Sequence, residues 1–143
     1  MKKIFREAPY TDQLPSNGVL AKLAPLQQVY GCGAIVAHQS EDLYALWEAW
    51  EAESGKERPT PFWAIAWPAA KVLARHLLKN TALVKDKRVL DVGCGGGVTC
   101  IAAALGGAAR VVANDIDPAA LIIAGRNFAA NNVTVEQCNR NLT

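Results

Sequence analysis

The chain predicts an α/β fold built on an open sheet of parallel strands, and three features of one stretch carry the prediction. Val89-Leu90-Asp91-Val92 is a short apolar run that reads as a buried strand. Gly93, Gly95, Gly96 and Gly97 follow at once. An alanine-rich segment, Val98 to Leu105, has helical composition and is stopped by Gly106-Gly107; Arg110 to Asn114 is then a second, β-branched run. Strand, glycine turn, helix, strand is the layout of a nucleotide-binding βαβ unit.

The turn has a physical logic. A chain that leaves a strand and enters a helix within a few residues needs backbone angles that a Cβ resists. A bare backbone also lets a ligand come close, and the helix start offers unpaired N–H groups and a partial positive charge. A dinucleotide turn is spaced G-x-G-x-x-G, and here the last position is Val98. The spacing present is acid-x-G-x-G-x-G, with Asp91, Gly93, Gly95 and Gly97, and Cys94 inside the turn. An acid ahead of the turn suits a ligand carrying an ammonium and a sulfonium, and suits a pyrophosphate poorly. Asp115 and Asp117 meet the end of the second strand, where a carboxylate can accept hydrogen bonds from two ribose hydroxyls.

Length and composition narrow the class. At 143 residues the chain suits one domain with a core. A net charge of +2 with interspersed acids and bases gives no case for a nucleic-acid partner. Cys32, Cys94, Cys100 and Cys138 form no C-x-x-C pair, and with only His38 and His76 beside them no zinc site is expected. Scattered thiols point to a reducing compartment, the cytoplasm. Lys2-Lys3 is not followed by a secretory apolar stretch, and no window is apolar for long enough to span a bilayer, so no membrane partner is expected.

The remaining elements follow in order. Met1 to Pro25 reads as an irregular lead with a short helix around Val19 to Leu23, and Leu26 to Ala37 as one or two short strands. Ser40 is placed as N-cap of a helix running to Gly55, with Glu41 and Asp42 in its first turn. Leu43, Leu46, Trp47 and Trp50 form its apolar face, the tryptophans packing against the main domain. A second helix is placed from Pro68, with Val72, Leu73, His76 and Leu77 facing inward; His76 reads as a partly buried or helix-end residue. Asp117 caps and Pro118 opens a helix to Asn131, with Leu121, Ile122, Gly125 and Phe128 on one stripe, and Val133 to Gln137 is a third strand.

Two blocks carry a resemblance. PFWAIAWPAAKVLARHLL, from Pro61 to Leu78, and KRVLDVGCGGGVTCIAAALGGAARVVANDIDPAAL, from Lys87 to Leu121, resemble the electron-transfer-flavoprotein β-subunit lysine methyltransferases and their bacterial relatives. Those are class I, seven-β-strand S-adenosylmethionine-dependent methyltransferases. The segment SEDLYALWEAWEAESGK, from Ser40 to Lys56, looks like the tryptophan-bearing helix of the bacterial members, and the N-D-I-D-P block is similar to one in ribosomal-protein lysine methyltransferases.

The resemblance implies a Rossmann-like doubly wound methyltransferase sheet, truncated after the third strand, with an N-terminal helical and strand extension. Residues 1–60 would be that extension, its amphipathic helix at about 40–54, and 61–143 the first half of the S-adenosylmethionine-binding domain. By the same resemblance Asp91, Gly93, Cys94, Gly95 and Gly97 would hold the methionine end of S-adenosyl-L-methionine. Asp115, with Asp117 second, would bind the ribose; Trp67 would line the pocket, and Cys138 or Asn139 would touch adenine.

The implied activity is methylation of lysine on a protein substrate, either an electron-transfer flavoprotein β-subunit or a ribosomal protein. The acidic, aromatic block that the family carries after its fourth strand has no counterpart before Thr143, so no residue here is assigned a catalytic role. Two other readings stand beside this one: a nicotinamide-dependent oxidoreductase on the same βαβ unit, disfavoured by the glycine spacing and Asp91, and a truncated cofactor-binding domain without activity of its own.

Overall fold

The computed structural model describes residues 13–142. The irregular lead and missing secretory signal expected over the first dozen residues lie outside them.

The centre is a three-stranded parallel sheet of β3 (Arg88–Val92), β4 (Arg110–Asn114) and β5 (Glu136–Cys138), laid side by side in that order. Leu90 lies opposite Val112, and Val112 opposite Glu136. Parallel neighbours need crossovers, and helices α4 (Val98–Leu105) and α5 (Pro118–Ala130) supply them. Ahead of the sheet come α1 (Asn17–Leu23), an antiparallel hairpin of β1 (Leu26–Gln28) and β2 (Val36–His38), and α2 (Leu43–Ser54). A single 3-10 turn at Phe62–Ala64 then leads to α3 (Pro68–Lys79).

Two clusters fill the interior. In the larger, Val98 and Cys100 to Ala103 of α4 pack with Ala74 and Leu77 of α3, Val111 and Ala113 of β4, Leu121 and Phe128 of α5, and Ile35 and Ala37 of the hairpin. The smaller joins Leu20, Leu46, Trp50 and Trp63 to Ala119, Ala120 and Ile123 of α5. Helix α5 is thus buried on two sides. This corrects the single stripe expected for it, in which Ile122 and Gly125 are only half-buried while Ile123, Ala124 and Asn127 are fully buried.

Four other expectations are also revised. Strand β3 is not buried: Val89 and Asp91 face the helices, whereas Leu90 and Val92, pointing the other way, are 54% and 55% exposed. The larger core lies on the helix side of the sheet, where Val89, Val111 and Ala113 point, and strand alternation turns Leu90 and Val92 away from it. The cap of α2 is Asp42, which accepts from Ala45 N, while Ser40 Oγ accepts from Asp42 N; an acid expected inside the first turn thus becomes its start. Helix α3 turns Ala74 and Leu77 inward and leaves Val72, Leu73 and His76 exposed, because the alanines of α4 admit a close approach only along a small-residue face. The third strand begins at Glu136 rather than Val133, since Asn132 has φ 54 and Val133 N returns to Phe128 O, which spends the intervening residues on closing the helix.

Candidate functional site

The C-terminal ends of β3 and β4 open into one cleft of about 810 Å³, within the range of a small-molecule site. Ligands of open α/β sheets bind at this end of the strands. Gly93, Cys94, Gly95, Gly96 and Gly97 form its floor. The turn is tied down by its backbone: Gly93 N and Cys94 N both donate to Asn114 O, at 2.8 and 2.9 Å, and Gly97 N donates to Cys94 O at 2.9 Å.

Two of its glycines are required for different reasons. Gly95 has φ +53 and no atom within 4 Å of where a Cβ would stand, so the space beside it belongs to the cleft. Gly97 has φ +83, and a Cβ there would meet the Phe128 ring at 2.5 Å, so the helix start can sit against α5 only without a side chain.

Carboxylates flank the turn. Asp91, near the end of β3, accepts from the Cys100 thiol at 3.4 Å. Burial holds its carboxyl above the usual range; the Cys100 hydrogen bond opposes this, and the nearby Asp115 charge adds to it. Asp115, just past β4, accepts from Gly95 N at 2.9 Å through Oδ2 and from Asp117 N at 3.0 Å through Oδ1. Each carboxylate oxygen can take a further donor, and Asp115 lines the cleft. Asp117 Oδ1 caps α5 by accepting from Ala119 N at 2.9 Å, and burial raises its carboxyl too.

The thiols of Cys94 and Cys100 are pushed far up by burial first and the neighbouring carboxylates second. They stay neutral and offer no nucleophile. Among the described residues no group of three or more His, Cys, Asp or Glu side chains could hold a metal, and no helix is long and apolar enough to cross a membrane.

Eight of the nine predicted site residues line this cleft: Trp67, Asp91, Gly93, Cys94, Gly95, Gly97, Asp115 and Asp117. Asn139 is not among the lining residues. Its Nδ2 donates to Asp115 O at 2.8 Å and to Ile116 O at 3.1 Å, so it holds the loop that carries the second carboxylate. Sequence reasoning missed Phe62, Ile65 and Ile116 in the lining. Phe62 stands 5.8 Å from Trp67, ring centre to ring centre, and accepts the indole N–H on its carbonyl at 3.2 Å. Ile116 is 71% exposed at the mouth. Its place between two predicted site acids was the available signal.

A parallel sheet with a bare turn between two strand-end carboxylates is the arrangement of a nucleotide-binding βαβ unit. Comparison with known proteins agrees. The family model for ribosomal protein L11 methyltransferase (PrmA) matches residues 72–142. The chain is 50% identical over 80 residues to the electron transfer flavoprotein beta subunit lysine methyltransferase of Danio rerio, covering 56% of this chain and 31% of that protein. It is 54% identical over 54 residues to the ribosomal protein L11 methyltransferase of Geobacter sulfurreducens, covering 38% of this chain and 18% of that one. In fold it superposes on the Thermus thermophilus 16S rRNA N2 G1207 methyltransferase (RsmC), solved with AdoMet and guanosine, with a TM-score of 0.55 and 21% identity, over 84% of this chain and 29% of that one. The resemblance read from the sequence therefore holds: the chain is similar to methyltransferases, the electron transfer flavoprotein beta subunit lysine enzymes and the ribosomal protein L11 enzymes among them. It spans under a third of the length of the curated relatives it matches.

Proposed function

We propose that the cleft binds S-adenosyl-L-methionine and that the protein carrying this chain transfers its methyl group to a lysine amine of a protein substrate. The observation that carries the reading is the pair of carboxylates flanking the bare turn, Asp91 before it and Asp115 bonded to Gly95 N. The chemistry of the set fits that ligand. Asp91 would accept from the ligand's ammonium, Asp115 from the ribose hydroxyls, and the bare backbone at Gly93 and Gly95 leaves room for the chain between them. Trp67 and Phe62 would shelter the reacting end from water, with Asp117 at the mouth and Cys94 as a neutral wall. Asn139 would act through the loop it holds.

When bound, the ligand supplies a methyl group that its sulfonium makes electrophilic. The residues of this chain then have one task, to orient it, and orientation is a large part of such a rate. An acceptor lysine, with an ordinary pKa of about 10.4, must lose its proton first, and no residue of this chain is assigned that step. The named relatives support a protein substrate, of the electron-transfer flavoprotein β-subunit or ribosomal L11 kind. The four free cysteines support a reducing, cytoplasmic setting. We also carry forward the division into an N-terminal extension, 1–60, and a cofactor-binding half, 61–143.

The test has two parts. Calorimetric titration with S-adenosylhomocysteine and with NADH should give binding of the first alone; the reverse would make this an oxidoreductase site. Tritium from labelled S-adenosylmethionine should pass, with the parent protein, to recombinant flavoprotein β-subunit or L11. Cofactor binding without transfer to either protein would leave a binding domain and remove the lysine reading.

A further inference from the structure

Asn127 is one of two fully or nearly fully buried polar residues among the described residues, in the last turn of a helix whose other inward residues are apolar. Its amide is committed on both sides. Nδ2 donates to Gly96 O, in the glycine turn, at 2.8 Å, and Oδ1 accepts from His38 N, on β2, at 2.9 Å. The two partners decide the orientation, since a carbonyl can only accept and an N–H can only donate. One turn further, at the C-terminal cap of α5, Asn131 repeats half the pattern: Oδ1 accepts from Val36 N at 3.0 Å, and Nδ2 donates to Val36 O and to the backbone Asn127 O, each at 2.7 Å. Residues four apart on a helix and two apart on a strand share a repeat of about 6–7 Å, so the two asparagines serve the free edge of β2 as a neighbouring strand would. Only Asn127 reaches on to the turn.

Gly96 has no slack on that side. A Cβ there would stand 3.0 Å from Trp63 O and 3.4 Å from Asn127 Nδ2, so the turn is wedged between the N-terminal segment and α5. The hydrogen bond from Asn127 is what this structure records on the Gly96 carbonyl from a side chain. A buried carbonyl left without a donor costs more than a surface one.

We propose that Asn127, oriented by His38 N, is the positioning residue of the glycine turn for the binding of the nucleoside ligand. It touches neither the ligand cleft nor a reacting atom; it acts through the Gly96 carbonyl and so on the set of the amides at Gly95 and Gly97. The proposal rests on the S-adenosylmethionine reading of the cleft for the identity of the ligand, and on the hydrogen bonds alone for the positioning.

The experiment compares Asn127→Asp with Asn131→Ala. The first keeps the acceptor for His38 N and sets an oxygen against Gly96 O; the second cuts the hairpin contact that does not reach the turn. Titration with S-adenosylhomocysteine should show at least tenfold weaker binding for Asn127→Asp and a change within twofold for Asn131→Ala, although both lower the melting temperature. Ligand-free hydrogen exchange at Gly95 and Gly97 should quicken in the first variant alone. Equal losses of affinity in both variants, or unchanged affinity in Asn127→Asp, overturns the proposal. Should Asn127→Asp fail to fold, the wild type decides: saturation with S-adenosylhomocysteine should shift the Asn127 side-chain amide resonances and leave those of Asn131 in place, and an unmoved Asn127 signal rejects the positioning role. If the wild type does not bind the probe, the cofactor reading fails by itself, and the exchange comparison still judges whether Asn127 holds the turn.

Discussion

Asp115 and Asp91 are both carboxylates at strand ends, yet their surroundings differ. Asp115 is held by two backbone N–H groups, from Gly95 and Asp117, whereas Asp91 accepts from the Cys100 thiol and is partly buried. Asp115→Ala should weaken S-adenosylhomocysteine binding by about 1.5–3 kcal/mol, the worth of a charge-assisted hydrogen bond. Unchanged affinity on calorimetry would move the ribose contact elsewhere. Asp91 gives a pH signature. Its native carboxyl is raised above the ordinary 3.8, so between that value and its native pKa the folded protein holds a proton that the unfolded chain has released. Folding stability must therefore fall as pH rises through that window, and this contribution levels off above it. Asp117 is shifted the same way by burial and adds to the fall. Urea unfolding of the ligand-free protein across mildly acid pH should show this decline, and Asp91→Asn should flatten it; a slope as steep in the variant would exclude Asp91 as its source.

At the scale of elements, capping and close packing decide more than propensity. Helix α2 begins two residues later than the pattern S-E-D suggests, because Asp42 Oδ1 accepts from Ala45 N at 3.0 Å. Asp42→Ala should cost about 1 kcal/mol, and Ser40→Ala distinctly less, in a denaturation series; the opposite order would restore Ser40 as the cap. The contact between α4 and α5 depends on Gly97. Gly97→Ala combines a left-handed backbone with a clash against the Phe128 ring, and should destabilise by about 2 kcal/mol or more. Gly95→Ala meets no atom within 4 Å; its effect is confined to backbone strain and to ligand affinity. Equal losses of stability in the two variants would contradict this division of labour.

For the molecule as a whole, the notable feature is one-sided cover. The larger core lies on one face of the sheet, while Leu90 and Val92 on the other are more than half exposed. Among the described residues, strand β3 also pairs on one side only, with β4. An exposed apolar edge strand invites association. The 143-residue chain should therefore show concentration-dependent self-association in sedimentation, reduced by Leu90→Lys, with S-adenosylhomocysteine binding retained; a monomer at all concentrations would mean that this edge is tolerated as it stands. The face α3 leaves outward, with Val72 and Leu73, adds apolar surface to the same molecule.

Much of this architecture was legible before any coordinates, for a local reason. The elements from Arg88 to Ala130 are signalled by neighbours in the chain: short apolar and β-branched runs, a glycine cluster, a proline after a capping acid. Seven of the eight cleft residues follow, since a βαβ unit brings its strand ends and first turn to one place whatever surrounds them; Trp67, ahead of α3, rested on the resemblance instead. The rest turns on partners distant in sequence. That Leu90 is exposed, that α3 faces inward through Ala74, and that Phe62 and Ile116 close the cleft all depend on which surfaces meet. Asn127 is the clearest case. An asparagine within a helix carries no local signal, and its meaning appears only when residues 31 and 89 positions away supply the two ends of its amide.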